Sequence, residues 1–536
     1  MSSFDYIIVG AGSAGCVLAE KLSRGAKHSV LLLEAGGSNK SPWVSLPLGY
    51  GRLFNDPTRN WNFSAAAQET LNGREDFWPR GKLVGGSGSI NAMVYCRGLQ
   101  TDFEDWHTAG ATGWNWDEVK RHYDKIETNV SAAGEKVGNG PIHLQDTSKQ
   151  IHQVNRHYFD AMEELGLPIS ENCNGPEPEG AAVYRINTKE GRRCSSADGF
   201  LKPALQRKNL ELRINTPVRR VIITDGRAVG VETASGKIIH ARAEVILAAG
   251  SVASPQLLQL SGIGPGKVLQ RYGVSVLVDN PNVGGNLQDH LGINYYFQAT
   301  EPTLNNVLRP WYGKVRVALQ YALTGKGPLS LSINQCGGFF RSSPDQPRPN
   351  VQLYFNPVSY KMQKVGKRTT VHPDPFPGFI ISPQPSRPTS RGRIDIQSPD
   401  VTAVPLIQPN SLATEQDQMD VIAAGQFCQR IMQSAALKKL VKSPINPDLM
   451  RMDADTILTD FRARCGTVFH PTSTCRMGAD AQTAVLDTNL SVFGVRGLRV
   501  IDASAFPNIT SGNTNAPTMM LAHRGAELIL KMKEQP

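Results

Sequence analysis

Between Phe4 and Glu34 the chain passes through an apolar run, a glycine turn, a second apolar run and a carboxylate, an order that few folds accommodate. Phe4-Asp5-Tyr6-Ile7-Ile8-Val9 leads into Gly10-Ala11-Gly12-Ser13-Ala14-Gly15, and Val30-Leu31-Leu32-Leu33 ends in Glu34. The pattern predicts strand, turn, helix and strand. Gly10 permits the tight turn, Gly12 lets backbone approach a pyrophosphate, and Gly15 lets the helix pack on the sheet with its N-terminus facing phosphate charge. Glu34 lies where a carboxylate accepts hydrogen bonds from the hydroxyls of an unphosphorylated ribose, which favours FAD or NAD over NADP.

A chain of 536 residues exceeds one ordinary core, so two or three domains, or one large domain with insertions, are expected. No stretch approaches the roughly 20 apolar residues of a membrane span. The first strand begins at once without a signal-peptide pattern, so a cytoplasmic enzyme is expected. Eight cysteines scattered over this length fit a reducing compartment better than a disulfide framework. The net charge of +10 is dispersed, with no basic run interleaved with aromatics, which argues against nucleic acid. Peripheral contact with an anionic inner-membrane surface stays open.

The nucleotide-binding texture returns in pieces. Leu210–Ile214, Arg219–Ile223 and Val229–Glu232 read as short strands, and Ala243–Gly250 is an apolar strand ending in small residues before a helix through Leu257, Leu258 and Leu260. Leu498–Ala503 is a further buried strand ending in acid, and a last helix begins near Pro517. Between these pieces, Pro-rich loops alternate with strands such as Asn350–Phe355. The fold class expected is α/β, α+β overall: a Rossmann-like FAD-binding domain from residues 1–150, 206–304 and 461–536, with a discontinuous antiparallel-sheet substrate domain from 151–205 and 305–460.

Four further segments carry a family resemblance. They are Gly81-Lys82-Leu83-Val84-Gly85-Gly86-Ser87-Gly88-Ser89-Ile90-Asn91, Gly250–Gly264, His470-Pro471-Thr472-Ser473-Thr474-Cys475-Arg476-Met477-Gly478 and Gly512-Asn513-Thr514-Asn515-Ala516-Pro517-Thr518. Together they resemble the glucose–methanol–choline (GMC) oxidoreductases over essentially the whole chain. Leu71-Asn72-Gly73-Arg74 and Phe77–Lys82 look most like the bacterial alcohol-dehydrogenase and choline-dehydrogenase branch.

The resemblance implies FAD, held by Gly10, Gly12, Ser13, Gly15, Glu34, Ala35, Gly85, Gly86, Asn91, Val94, Val218, Ala249, Gly250, Asp502, Ala503 and Asn515. Small residues at 81–91 also make sense alone, since they let backbone N–H groups line a concavity where side chains would collide. Some members carry a histidine just before the Asn91-like position that bonds to the flavin. Ile90 cannot, so non-covalent FAD is expected.

The resemblance places the catalytic histidine at His470 and the second active-site position, His or Asn in different members, at Asn515. The chemistry agrees: alcohol oxidation removes a hydroxyl proton as hydride passes to flavin N5, and a near-neutral base suits it. Asn515 orients the hydroxyl without competing for its proton, or simply caps the last helix. Cys465 and Cys475 flank His470, but without a further ligand at usual spacing no metal is expected. His290 reads as structural.

The expected reaction is oxidation of a primary alcohol to an aldehyde, with electrons passed to a quinone-type acceptor or to oxygen. A hydroxynitrile-lyase-like activity without net redox is the alternative. Light-driven decarboxylation is disfavoured because Ser386-Arg387-Pro388 lacks the cysteine those relatives carry before the Arg-Pro pair.

Overall fold

The strand expected at Phe4 runs Ser3–Val9 and lies in the middle of a seven-stranded sheet, in a computed structural model that describes residues 3–365 and 368–534. Its neighbours Val30–Leu33 and Ile238–Leu247 are parallel to it, and Leu210–Arg213 continues the parallel order beyond Val30–Leu33. Ile238–Leu247 divides its edges: its first half pairs antiparallel with Arg227–Thr233, its second half parallel with Leu498–Val500. Three stretches far apart in sequence therefore share one sheet. Tyr6, Ile7, Ile8 and Leu31 are fully buried, as continuous apolar runs require when helices cover both faces.

A five-stranded antiparallel sheet follows the order Cys336–Phe340, Val351–Asn356, Gly378–Pro385, Tyr295–Ala299 and Val441–Ile445. It is the antiparallel element expected between the nucleotide-binding pieces, with two corrections to the limits drawn. Tyr295–Ala299 sits inside it, so the limit drawn at residue 304 falls too late. The limit at 150 also cuts through a sheet, since Ile142–Gln145 pairs with Ile186–Lys189. Alternation alone does not say which partner a short strand will choose.

The two sheets have separate apolar cores, one around Ile7, Leu31, Val245 and Met520, the other around Phe297, Leu353, Phe379 and Phe427. All eight cysteines are buried and free. Among the described residues no helix is long and apolar enough to cross a membrane.

Candidate active site

The glycine turn divides its labour as the motif predicts. Gly10 has φ +102°, and a Cβ there would stand 2.5 Å from the Ala248 carbonyl oxygen. At Gly15 a Cβ would meet the Gly10 oxygen at 1.9 Å, so both positions are closed by the fold itself. Gly12 differs: its Cβ would find only the Ala248 oxygen, at 3.9 Å, and one at Gly250 would find nothing within 4 Å. These two glycines face open space, the arrangement a bound phosphate group requires.

The second glycine segment folds over the first. Gly85 donates its N–H to the Ala11 carbonyl at 2.7 Å, and a Cβ at Gly86 would lie 2.8 Å from the Gly12 Cα. A buried guanidinium, which sequence reasoning missed, clamps this loop. Arg193 donates to the Asn91 Oδ1 at 2.6 Å, the Asn91 carbonyl at 2.7 Å, the Gly88 carbonyl at 3.2 Å and the Val44 carbonyl at 2.9 Å. Burial lowers its pKa to about 10, so it stays charged at neutral pH. Ile90 packs with Val44, Leu53 and Leu83, with no nucleophilic atom to offer a flavin.

Glu34 accepts the Ala11 N–H at 2.9 Å on one oxygen and the Gly36 N–H at 2.8 Å on the other. Each oxygen keeps a lone pair for a hydroxyl donor. Burial raises the carboxyl to about 7, and the two backbone N–H groups oppose the rise. Ala35 follows, half-buried, and the turn ahead of Val218 returns to the same edge, Thr216 donating its N–H to the Glu34 carbonyl at 2.8 Å. The first and last helices begin side by side: Ser13 Oγ donates to Asn515 Oδ1 at 2.6 Å, and a Cβ at Gly88 would fall between them.

Two expected cofactor contacts are limited by the structure to the backbone. Asp502 takes four donors from the protein, Gly250 N–H at 2.8 Å and Ser254 Oγ at 2.6 Å on Oδ2, and Ser504 N–H at 2.8 Å and Oγ at 2.6 Å on Oδ1. Its lone pairs are filled, so the carboxylate is a strut that fixes the Ala249–Gly250 turn and the turn starting at Ala503. Val94 packs its side chain with Cys96, Leu99, Tyr184 and Tyr354. Only the backbone of either residue is left to touch a cofactor.

The largest correction concerns Asn515. It was expected beside His470, but Asn513 occupies that place, with Nδ2 3.1 Å from His470 Nε2. Asn515 is the first residue of the last helix and faces Ser13. Asn513 lies in the preceding loop, just after Gly512 at φ +78°, where a Cβ would collide with the Phe339 ring at 2.8 Å. Both asparagines lie in one quoted motif, and residue chemistry alone does not separate them.

His470 comes from a strained loop: its neighbour Phe469 has φ +71°, and Ser473 has φ +73°. The strain is held by three anchors. Phe469 donates its N–H to Thr467 Oγ1 at 2.8 Å, its carbonyl accepts from Arg80 at 2.7 Å, and His470 donates its N–H to Asp289 Oδ1 at 2.8 Å. Burial pushes Asp289 up to about 7, against hydrogen bonds from Thr467 and His470.

His290, expected to be structural, touches His470 directly. Its Nε2 lies 2.9 Å from the Ser386 carbonyl oxygen and its Nδ1 lies 3.1 Å from His470 Nδ1. A carbonyl only accepts, so His290 carries its proton on Nε2 and presents a lone pair at Nδ1. His470 must then donate from Nδ1, which leaves the lone pair on Nε2. The Asn513 side chain is oriented to match: its Oδ1 accepts from Tyr354 Oη at 3.0 Å and from Cys96 Sγ at 3.3 Å, turning its NH₂ toward His470. Burial holds His470 well below its ordinary pKa, assisted by His290 and Arg80, and lowers His290 to about 4. Both rings are neutral at pH 7.

Sequence reasoning also missed Tyr354, Gln352 and Ser386. Gln352 Nε2 donates to Tyr354 Oη at 3.1 Å. These residues lie in or just after strands of the antiparallel sheet, so that sheet bounds the base on one side. Only their strand character was legible.

Residues 4–292 and 388–522 match the GMC oxidoreductase family. An alcohol dehydrogenase [acceptor] of Pseudomonas putida is 38% identical over 537 residues, covering 98% of this chain and 96% of that protein. An oxygen-dependent choline dehydrogenase of Vibrio vulnificus is 38% identical over 540 residues, covering 99% and 95%. The crystal structure of pyridoxine 4-oxidase from Mesorbium loti superposes with a TM-score of 0.87 at 29% identity, covering 98% of each chain. The chain belongs to the GMC oxidoreductase family, and is an FAD-dependent oxidoreductase of CH–OH donors.

Proposed function

We propose that this GMC oxidoreductase converts a primary alcohol to an aldehyde and passes the electrons to a quinone-type acceptor rather than to oxygen. The observation that carries the reading is the fixed lone pair on His470 Nε2, in a ring that burial keeps neutral. The Gly12–Ser13 turn, Gly85–Gly86, Glu34 and the Ala249–Gly250 turn would hold FAD, without a covalent bond because Ile90 has no atom to form one. Bound FAD supplies the two-electron acceptor that takes hydride from the alcohol carbon.

His470 Nε2 takes the hydroxyl proton. As the ring becomes imidazolium, its Nδ1–H strengthens its bond to His290, whose Nε2–H stays on Ser386. The Asn513 NH₂, which otherwise donates to the Nε2 lone pair at 3.1 Å, turns that N–H to the alcohol oxygen and so frees the lone pair for the hydroxyl proton, while Tyr354 and Cys96 keep the amide from turning over. Burial removes competing water from these groups, which strengthens each of them.

The acceptor preference rests on the basic surface, to which a membrane quinone gives a purpose by attraction to anionic lipid; the relatives divide, one named for an unspecified acceptor and one for oxygen. Mixing the FAD-loaded protein anaerobically with a panel of primary alcohols, then admitting air or a soluble quinone, tests both halves. Flavin bleaching by a primary alcohol with fast return only on quinone is the expected result. No bleaching by any alcohol overturns the reaction, and fast return in air overturns the acceptor.

A further inference from the structure

The helix Trp311–Thr324 shows solvent an apolar face that nothing among the described residues covers. Only Gly313 and Val317 are buried, with Tyr321 half-buried on the same side, its hydroxyl donating to the Gly191 carbonyl at 3.0 Å. These three positions, each four apart, seat the helix on the protein. On the outward side Trp311 is 76% exposed, Tyr312 65%, Val315 50%, Leu319 54% and Leu323 80%. Residues 311, 315, 319 and 323 recur every fourth position, which aligns them in one stripe along the helix.

The charge around the stripe has one sign. From Pro302 to Pro344 the sequence holds Arg309, Lys314, Arg316, Lys326 and Arg341 and no aspartate or glutamate. Arg309, Lys314, Arg316 and Lys326 are exposed on or beside this helix. Arg309, two residues before the helix, donates to the Pro373 carbonyl at 2.9 Å, which ties the entry to the helix to the strand Arg368–Pro373. An apolar stripe led by Trp and Tyr and flanked by Lys and Arg is the composition of a helix lying flat in a lipid interface.

We propose that the Trp311–Thr324 helix docks the protein on an anionic phospholipid membrane, its stripe in the acyl boundary and its Lys and Arg on the lipid phosphates. Its purpose rests on the quinone-type acceptor proposed above. The chain leaving the helix supports that link: it passes through Pro328–Ser330 to Leu331, which packs with Tyr50, Met93 and Ile186, and Met93 is two residues beyond Asn91 in the glycine-rich loop. A docked helix thus lies one short connection from the residues that follow the glycine-rich loop.

The test is co-sedimentation of full-length, FAD-loaded protein with vesicles of phosphatidylcholine alone or with phosphatidylglycerol added, without any acceptor present. The wild type should bind the anionic vesicles and not the neutral ones, and release as salt rises. Leu319→Glu with Leu323→Glu should lower binding at least about tenfold, and each of Lys314→Glu and Arg316→Glu should lower it by roughly fivefold or more. Alcohol-driven reduction of a soluble dye should stay at the wild-type level, which shows the variants folded and keeps failure of docking distinct from failure of the acceptor reading. Absence of wild-type binding to anionic vesicles, or binding that the Leu variants leave unchanged, overturns the proposal. A wild-type dimer that the Leu variants dissociate, without vesicle binding, assigns the face to a second copy instead and also overturns it.

Discussion

His290 Nδ1 lies 3.1 Å from His470 Nδ1, and because His290 Nε2 faces the Ser386 carbonyl at 2.9 Å, that contact decides which nitrogen of His470 takes a proton. His290 touches neither substrate nor flavin in this account. It is a positioning residue, acting through the ring it holds.

His290→Ala should therefore slow flavin reduction by alcohol about 10- to 10²-fold, the worth of one hydrogen bond to a charged group, with FAD content unchanged. His290→Asn, whose side-chain oxygen accepts from His470 Nδ1, should recover part of the loss. Stopped-flow reduction of both variants, loaded with FAD, checks this. Equal rates for Ala and Asn would assign His290 to packing alone.

Asn513 and Asn515 should separate cleanly. Asn513→Ala removes the amide at His470 Nε2 and should slow reduction about 10- to 10²-fold in flavin-replete protein. Asn515→Ala breaks the 2.6 Å contact with Ser13 and should weaken FAD retention while leaving the reduction rate of loaded molecules near wild type. Flavin content and single-turnover rates of the two variants decide between them, and the opposite pattern would restore Asn515 to the side of the base.

Gly12→Val should give a folded protein that does not retain FAD, because its side chain fills the space the pyrophosphate needs. Gly15→Val should not fold, since its Cβ meets the Gly10 oxygen at 1.9 Å. Circular dichroism and flavin absorbance report the two outcomes separately. In the wild type, acid or heat should release intact FAD into the supernatant, and flavin left in the precipitate would mean a covalent link that Ile90 cannot provide.

Stability should fall as pH drops below about 6.5. His122 and His523 lie with their Nδ1 atoms 2.9 Å apart, Lys21 Nζ is 3.2 Å from His523 Nε2, and burial lowers both rings to about 3. His290, at about 4, and His470 are lowered in the same direction. Between these values and the ordinary 6.5 the unfolded chain binds more protons than the folded one, so stability rises with pH across that window and is lost on going down through it. Asp289 and Glu34, both raised to about 7, and Asp76 and Asp420, raised by burial, work in the opposite sense, but with His143 and His152 also lowered by burial six imidazoles outnumber these four carboxyls. Thermal melts from pH 7 to 4 should show Tm falling from near pH 6.5 downward, and a flat Tm would show that these rings are charged in the fold.

The local parts of the fold were legible because they rest on local rules. Gly10, Gly12 and Gly15 carry their roles in their spacing, and Ile7 to Val9 and Leu31 to Leu33 announce buried parallel strands by unbroken apolar character. Asp502 was legible as an acid ending a strand, but not as a carboxylate filled by Gly250, Ser254 and Ser504, because those donors come from distant segments. Arg193, and the role of the Ser386 carbonyl, gave no signal for the same reason. A guanidinium that clamps a loop 102 residues away and a carbonyl that fixes a histidine tautomer 96 residues away act through tertiary contact, not pattern.

The central claim is that His470 Nε2 is the base, and stopped-flow reduction of FAD-replete His470→Ala by a primary alcohol tests it most directly. Reduction should slow about 10²- to 10⁴-fold with fold and flavin content intact. Wild-type reduction should be level near neutral pH and fall only well below 6.5, because burial keeps the ring neutral, and the variant should lack that fall. A His470→Ala rate equal to wild type, with the same pH profile, would contradict the account.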